Sequence, residues 1–82
     1  MLGRVVRVKS CWKLLFLIDT FKPETVYIEE RETPYMFGSF KPRIFWFRTD
    51  HNEKIHFTIK KHTEYMTMIK LIKSKGIKTE NI

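Results

Sequence analysis

The stretch from Arg43 to Gly76 constrains the fold of this chain more than any other. It contains two segments rich in β-branched and aromatic residues, IFWFRT and KIHFTIK, on either side of the polar sequence DHNE. Such segments around a polar turn are typical of a β-hairpin. A run with helical spacing, HTEYMTMIKLIKSKG, follows directly. The sequence therefore predicts a two-stranded hairpin that leads into one amphipathic helix.

The predicted helix has a defined apolar face and defined ends. Its apolar residues recur at intervals of three and four and form one stripe: Tyr65, Met68, Ile69 and Ile72. Thr63 is predicted to be the N-cap, since a threonine hydroxyl accepts a hydrogen bond from the first turn. Gly76 is predicted to end the helix in a left-handed conformation, with Ile77 packing back on Ile72.

The length of the hairpin turn decides which side chains share a face, because a shift of one residue moves every side chain to the opposite face. A four-residue connection, Asp50–Glu53, gives one face made of Ile44, Trp46, Arg48, Ile55, Phe57 and Ile59. A three-residue connection instead groups Phe45, Phe47, Ile55, Phe57 and Ile59, and leaves Trp46 and Arg48 with Lys54 and His56. The turn sequence does not decide between these registers. In both, one face combines aromatic side chains with Lys, Arg and His.

The N-terminal half is predicted to contribute three further strands, at residues 1–10, 11–19 and 25–31. Residues 1–10 are rich in valine, and residues 25–31 alternate apolar and polar side chains. Residues 11–19, CWKLLFLID, are apolar on both faces if extended, which is typical of a central strand. A buried helix is the competing interpretation of that segment. The strand is preferred because a loop containing Pro23 follows, without a helical stop signal before it.

Together these elements predict a single small α+β domain at residues 1–77, followed by a frayed tail at residues 78–82. The fold class is a mainly antiparallel sheet of about five strands with one C-terminal amphipathic helix packed against it. At 82 residues the chain has room for one modest core.

The chain is strongly basic, with a formal net charge of +7 from 16 Lys and Arg against 9 Asp and Glu. This excess favours an anionic partner, although a Lys-rich surface that serves only solubility is the alternative. The longest apolar run, Leu14 to Ile18, is too short to span a bilayer, so no membrane partner is expected. The single cysteine and the absence of a signal peptide predict a cytoplasmic protein.

Two groups of residues are candidate contact sites. The segment 32–43 places large apolar side chains among two prolines and a glycine, and these residues either cover the core or form a partner-binding loop: Tyr35, Met36, Phe37 and Phe40. The basic residues in and around the hairpin are candidates for an anionic-partner face: Lys41, Arg43, Arg48, Lys54, His56 and Lys60. Sheets that bind single-stranded nucleic acid combine exposed aromatic side chains with Lys and Arg in this way.

Neither a catalytic site nor a metal or cofactor site is predicted. The spacings of His51, His56 and His62 match no common pattern of metal ligands, and Cys11 lies in an apolar run. The three glycines form no phosphate-binding loop. The sequence therefore predicts a protein that is not an enzyme.

Residues 43–77, RIFWFRTDHNEKIHFTIKKHTEYMTMIKLIKSKGI, resemble the closing hairpin and helix of small bacterial pleckstrin-homology-like domains. The resemblance implies a curved antiparallel sheet with the helix packed at one end or face, and a role in binding rather than catalysis. It implies no particular ligand residues.

The leading functional prediction is a small non-enzymatic binding module that acts through protein–protein contact, as a regulator or inhibitor of the kind found in phages and mobile elements. The alternative is a nucleic-acid-binding protein that uses the basic and aromatic sheet face. A homodimer formed through an edge strand, residues 3–9, is a further prediction.

Overall fold

The computed structural model describes residues 3–30 and 41–82. In chain order the elements are β1 (Val5–Arg7), α1 (Cys11–Phe21), β2 (Thr25–Glu30), β3 (Arg43–Arg48), β4 (Lys54–Ile59), α2 (His62–Ser74) and β5 (Lys78–Asn81).

The five strands form one mixed sheet in the order β1-β4-β3-β2-β5. The two central pairings, β4 with β3 and β3 with β2, are antiparallel. The two outer pairings, β1 with β4 and β2 with β5, are parallel. A parallel pairing needs a long crossover. Here the chain between β1 and β4 passes through α1, β2 and β3, and the chain between β2 and β5 passes through β3, β4 and α2.

The prediction of a mainly antiparallel sheet with a single C-terminal helix is therefore wrong. Residues 11–21 are not a strand but the helix α1, which buries Leu14, Leu15 and Ile18. The Ser10 hydroxyl accepts a hydrogen bond from the Lys13 N–H at 3.2 Å and caps the helix. The C-terminal end of α1 was not recognisable in the sequence, because Lys22 takes the left-handed conformation that a glycine usually adopts at this position.

The C-terminal tail is the second difference, because residues 78–81 pair with β2 instead of fraying. The Lys78 N–H donates to the Glu24 carbonyl, and the Ile82 N–H donates to the Ile28 carbonyl. The strand is held by backbone hydrogen bonds, which any sequence can make. The polar sequence KTEN has no alternation of apolar and polar residues, so it did not indicate a strand. The β2 backbone is consequently paired on both sides.

The helix α2 ends as predicted but begins differently. Gly76 has a φ of 76°, and the Gly76 and Ile77 N–H groups donate to the carbonyls of Lys73 and Ile72. This is the Schellman arrangement. At the other end the N-cap is Lys61 rather than Thr63, and its side chain makes no capping hydrogen bond.

The hairpin adopts the three-residue connection, with Phe47 opposite Ile55 and Phe45 opposite Phe57. The Asn52 N–H donates to the Thr49 carbonyl, and Asn52 has a φ of 61°. Asparagine tolerates this left-handed position better than most residues, which allows the short turn. The register buries Phe45 and Phe47 completely.

The hydrophobic core lies on one face of the sheet and beneath both helices. Its buried residues are Val8, Leu14, Leu15, Ile18, Val26, Ile28, Phe45, Phe47, Ile55, Ile59, Met68 and Ile72. Side chains alternate between the two faces of a strand. The strand residues next to these core residues therefore lie on the opposite face of the sheet. Within the described ranges, neither helix is long and apolar enough to cross a membrane.

The strand β1 lies at one edge of the sheet and pairs only with β4 in the described chain. Pairing of this edge with a second copy stays a prediction. The resemblance of residues 43–77 to pleckstrin-homology-like domains also stays a prediction, although the parallel outer strands differ from the antiparallel sheet that it implied.

Candidate nucleic-acid interface

The sheet face opposite the core carries the candidate site, and we refer to it as the open face. The strand registers place on it Val5, Arg7, Thr25, Tyr27, Glu29, Ile44, Trp46, Arg48, Lys54, His56, Thr58, Lys78 and Glu80. Both helices pack their buried residues on the core side, so neither α1 nor α2 covers the open face. This face combines aromatic rings with charged groups.

One residue from each strand forms a line across the open face. Arg7 is opposite His56, His56 is opposite Trp46, Trp46 is opposite Tyr27, and Tyr27 is opposite Glu80. We refer to these five residues as the transverse row. At the usual strand spacing the row is about 19 Å long. It runs from a cation at one edge, through three rings, to a carboxylate at the other.

The centre of the transverse row is a stacked aromatic pair. The Tyr27 and Trp46 rings lie 4.5 Å apart between centroids, with an interplanar angle of 24°. The Trp46 Nε1–H donates to the Glu29 Oε1 at 2.9 Å. The stacking and this hydrogen bond together fix the orientation of the indole, while Trp46 stays only partly buried.

Two cations lie beside the indole. The Lys54 Nζ is 4.5 Å from the centroid of the Trp46 ring, and the Arg48 Cζ is 5.7 Å from it. An exposed cation–π contact of this kind contributes about 0.5–1 kcal/mol. The Arg48 guanidinium also donates to the Asn52 side-chain oxygen at 3.3 Å. The cations are held near the ring by weak interactions that a stronger anionic partner can replace.

His56 is also part of this positive region. Burial lowers the pKa of His56 below its ordinary value of 6.5, and the positive charges of Lys54 and Arg7 lower it further. The neutral imidazole is thus favoured at neutral pH. A negatively charged group bound here would act in the opposite direction and favour the imidazolium.

The structure brings together three of the six predicted basic residues and separates the others. Arg48, Lys54 and His56 share the open face. Arg43 lies on the core side of β3, where its guanidinium Cζ is 4.2 Å from the Tyr65 ring centroid. Lys60 is exposed just beyond β4, and Lys41 is exposed just before β3. The aromatic residues predicted as a partner-binding loop, Tyr35, Met36, Phe37 and Phe40, lie outside the described residues.

Several surface residues were not among the site residues predicted from the sequence. Arg7 and Tyr27 belong to the transverse row, and only the strand order places them beside the hairpin. Trp12 and Phe16 were assigned to the core of a strand, but on α1 they are 72% and 60% exposed. Their spacing of four residues is a helical signal, and it would have grouped them if the helical interpretation of residues 11–19 had been preferred.

In the part of the chain that the structure describes, no three histidine, cysteine or acidic side chains come together as metal ligands do. Cys11 is partly buried and packs against the core. The thiol of Cys11 thus acts as a small apolar side chain that packs between α1 and the core.

The sequence was compared with models of protein families and with curated protein sequences, and neither comparison gave a match.

Proposed function

We propose that this protein is a non-enzymatic binding module that binds single-stranded nucleic acid on its open face. The observation that carries the proposal is the stacked Tyr27–Trp46 pair with Lys54 and Arg48 beside it. Proteins that bind single strands without strong sequence preference combine aromatic stacking with basic side chains that follow the phosphates. A cytoplasmic location, expected from the single cysteine, belongs to the same proposal.

The geometry suggests how a base would enter. Tyr27 comes from β2 and Lys54 from β4, so they flank Trp46 from the strands on either side of β3. A base would stack on the side of the indole that the Lys54 ammonium occupies. The long lysine side chain would then turn to a phosphate, where the attraction between full charges is stronger than its contact with the ring.

Charge complementarity supports a polyanion over a neutral partner. Arg7, Arg48 and Lys54 lie on the β1, β3 and β4 side of the open face. On the β2 and β5 side Lys78 is accompanied by the two carboxylates Glu29 and Glu80, and Glu29 already accepts a hydrogen bond from Trp46. Phosphates would therefore lie over β1 and β4, and bases would point toward the aromatic pair.

The test is a fluorescence-polarisation titration with labelled single-stranded DNA, single-stranded RNA and a DNA duplex, each at two salt concentrations. The double variant Arg48→Gln/Lys54→Gln should weaken single-strand binding and reduce its salt dependence. A matched control is Lys70→Gln/Lys73→Gln, which removes the same charge from exposed positions on α2. Equal losses in both variants would show that only net charge matters and would reject the open face as the site.

Binding to a protein partner was the leading prediction from the sequence and is the second candidate function here. The exposed pair Trp12 and Phe16 favours it. These side chains lie one helical turn apart on α1, and the Lys13 Nζ is 5.3 Å from the Phe16 ring centroid. We propose that the complementary partner surface is an apolar protein surface bordered by carboxylates, because aromatic anchors and a flanking cation fit such a surface.

Affinity capture with matched variants tests this second candidate. A partner of the α1 surface should be captured by the wild type and by Arg48→Gln/Lys54→Gln, and should be lost with Trp12→Ser/Phe16→Ser. The purified partner should then reproduce this difference in calorimetry. Capture that does not depend on Trp12 and Phe16 would exclude this surface as the contact.

A further inference from the structure

A basic groove adjoins the open face at the carboxyl ends of β1 and β4. Its volume is about 590 Å³, and four cationic residues line it: Arg7, Lys9, Lys60 and Lys61. Glu64 is the carboxylate among its lining residues, and the side chains of Val8, Phe57 and Thr58 complete the lining. We refer to this surface as the basic groove. A volume of this size is in the range of small-molecule binding sites, and its charge suits an anion.

Arg7 connects the basic groove to the candidate interface. It is the terminal residue of the transverse row, opposite His56, and it also lines the groove. Thr58 likewise lies on the open face and lines the groove. The two surfaces are therefore continuous around the β1 edge. Two strand spacings separate Trp46 from Arg7, which is a distance of about 10 Å.

We infer that the basic groove holds the phosphates of the same single strand after it leaves the aromatic pair. This inference rests on the function proposed above and adds the path of the ligand. A short oligonucleotide would occupy only the open face, whereas a longer one would also reach Lys9, Lys60 and Lys61. Both affinity and salt dependence should consequently increase with oligonucleotide length.

The chemistry of the groove distinguishes it from a surface that only improves solubility. Its four cations line one concave surface, Glu64 is the one acidic residue among the described lining residues, and Lys9, Lys60 and Lys61 are all exposed. Phe57, which is only partly buried, provides an apolar surface for a sugar or a base edge. Phosphate contacts from such lysines add affinity without sequence specificity.

The experiment compares two lengths of single strand, about 4 and about 12 nucleotides, within the range of known single-strand site sizes. Salt titrations are measured for the wild type, for Lys60→Gln/Lys61→Gln and for the charge-matched control Lys70→Gln/Lys73→Gln. With the longer strand, the groove variant should reduce the slope of log affinity against log salt by about 1.4, since each phosphate contact contributes about 0.7. With the shorter strand, the groove variant and the control should behave alike. Circular dichroism of each variant checks that it is folded.

The outcomes separate the inference from the function on which it rests. If both lengths bind and the groove variant equals the control, the groove is excluded and the open face stands. The groove is also excluded as an extension of the site if its variant weakens both lengths equally. If no oligonucleotide binds even at low salt, the proposed function and the inference both fall.

Discussion

The rings of Tyr27 and Trp46 stack on the open face with centroids 4.5 Å apart, although the two residues belong to different strands and are separated by the segment that joins β2 to β3. The Trp46 Nε1–H also donates to Glu29, the second residue after Tyr27 on β2. Two contacts from one strand thus position the indole of the next. This pre-organisation reduces the entropy that a bound base would otherwise have to lose in ordering the site.

Replacing Trp46 should separate binding from folding. Trp46→Ala is expected to reduce single-strand affinity by roughly 5- to 150-fold, because stacking on an aromatic side chain contributes about 1–3 kcal/mol per base. Trp46→Phe should retain most of the affinity, since a phenyl ring can still stack. Polarisation titrations measure both variants. In a Trp12→Phe background, the remaining indole should also be quenched on binding, and an unchanged emission would speak against contact with Trp46.

His56 predicts two opposite effects of pH. Its pKa in the folded protein is lowered by burial and by Lys54 and Arg7, so the unfolded chain binds the proton more readily. Stability contributed by the neutral imidazole is therefore lost as the pH falls below the ordinary value of 6.5. Urea unfolding should show a smaller loss over this range for His56→Gln than for the wild type.

Nucleic-acid binding should act on His56 in the reverse sense. A phosphate beside the imidazole favours the protonated form, so the bound protein should have a raised His56 pKa and affinity should increase as the pH falls. A histidine NMR titration with and without a single strand of about 4 nucleotides, which should not reach the basic groove, measures this shift. The exposed His51 and His62 serve as internal references. Equal pKa shifts at all three histidines would mean that the ligand acts only through its long-range electrostatic field and does not bind beside His56.

Gly3 should not accept a side chain. A Cβ at this position would lie 1.6 Å from the Asn52 carbonyl oxygen. This is a backbone atom, so it can move away only if the hairpin turn itself shifts. Gly3→Ala should therefore displace the start of β1 from the hairpin turn and lower the free energy of unfolding by about 1–3 kcal/mol. Val5→Ala on the same strand is the control, because Val5 is 67% exposed and should change stability by about 0.5 kcal/mol or less. Equal midpoints in urea for the two variants would contradict this close approach.

Removing residues 78–82 tests whether β5 is part of the fold. The deletion exposes one side of β2, where several backbone groups lose partners that each contribute about 0.5–1.5 kcal/mol. We expect a decrease of at least about 2 kcal/mol in the free energy of unfolding, together with self-association through the new edge. Urea unfolding and light scattering measure the two effects. A truncated protein as stable and monodisperse as the full chain would show that the tail contributes nothing.

The parts of the fold that could be predicted from the sequence are those encoded by nearby residues. The apolar stripe of α2, its glycine end and the two strands of the hairpin each depend on contacts within a few positions. The basic and aromatic character of one hairpin face was also predicted in either register. The spacing of apolar residues along the chain is a local property, and it therefore indicates such elements directly.

Tertiary structure decided the rest. Residues 11–21 are apolar enough for a strand or a helix, and packing of Leu14 and Ile18 under the sheet selects the helix and leaves Trp12 and Phe16 outside. The polar residues of β5 become a strand only because β2 presents an unpaired edge. The transverse row joins Arg7 near one end of the chain to Glu80 near the other. Such an arrangement depends on the order and register of all five strands, which are set by burial across the whole core rather than by any one segment.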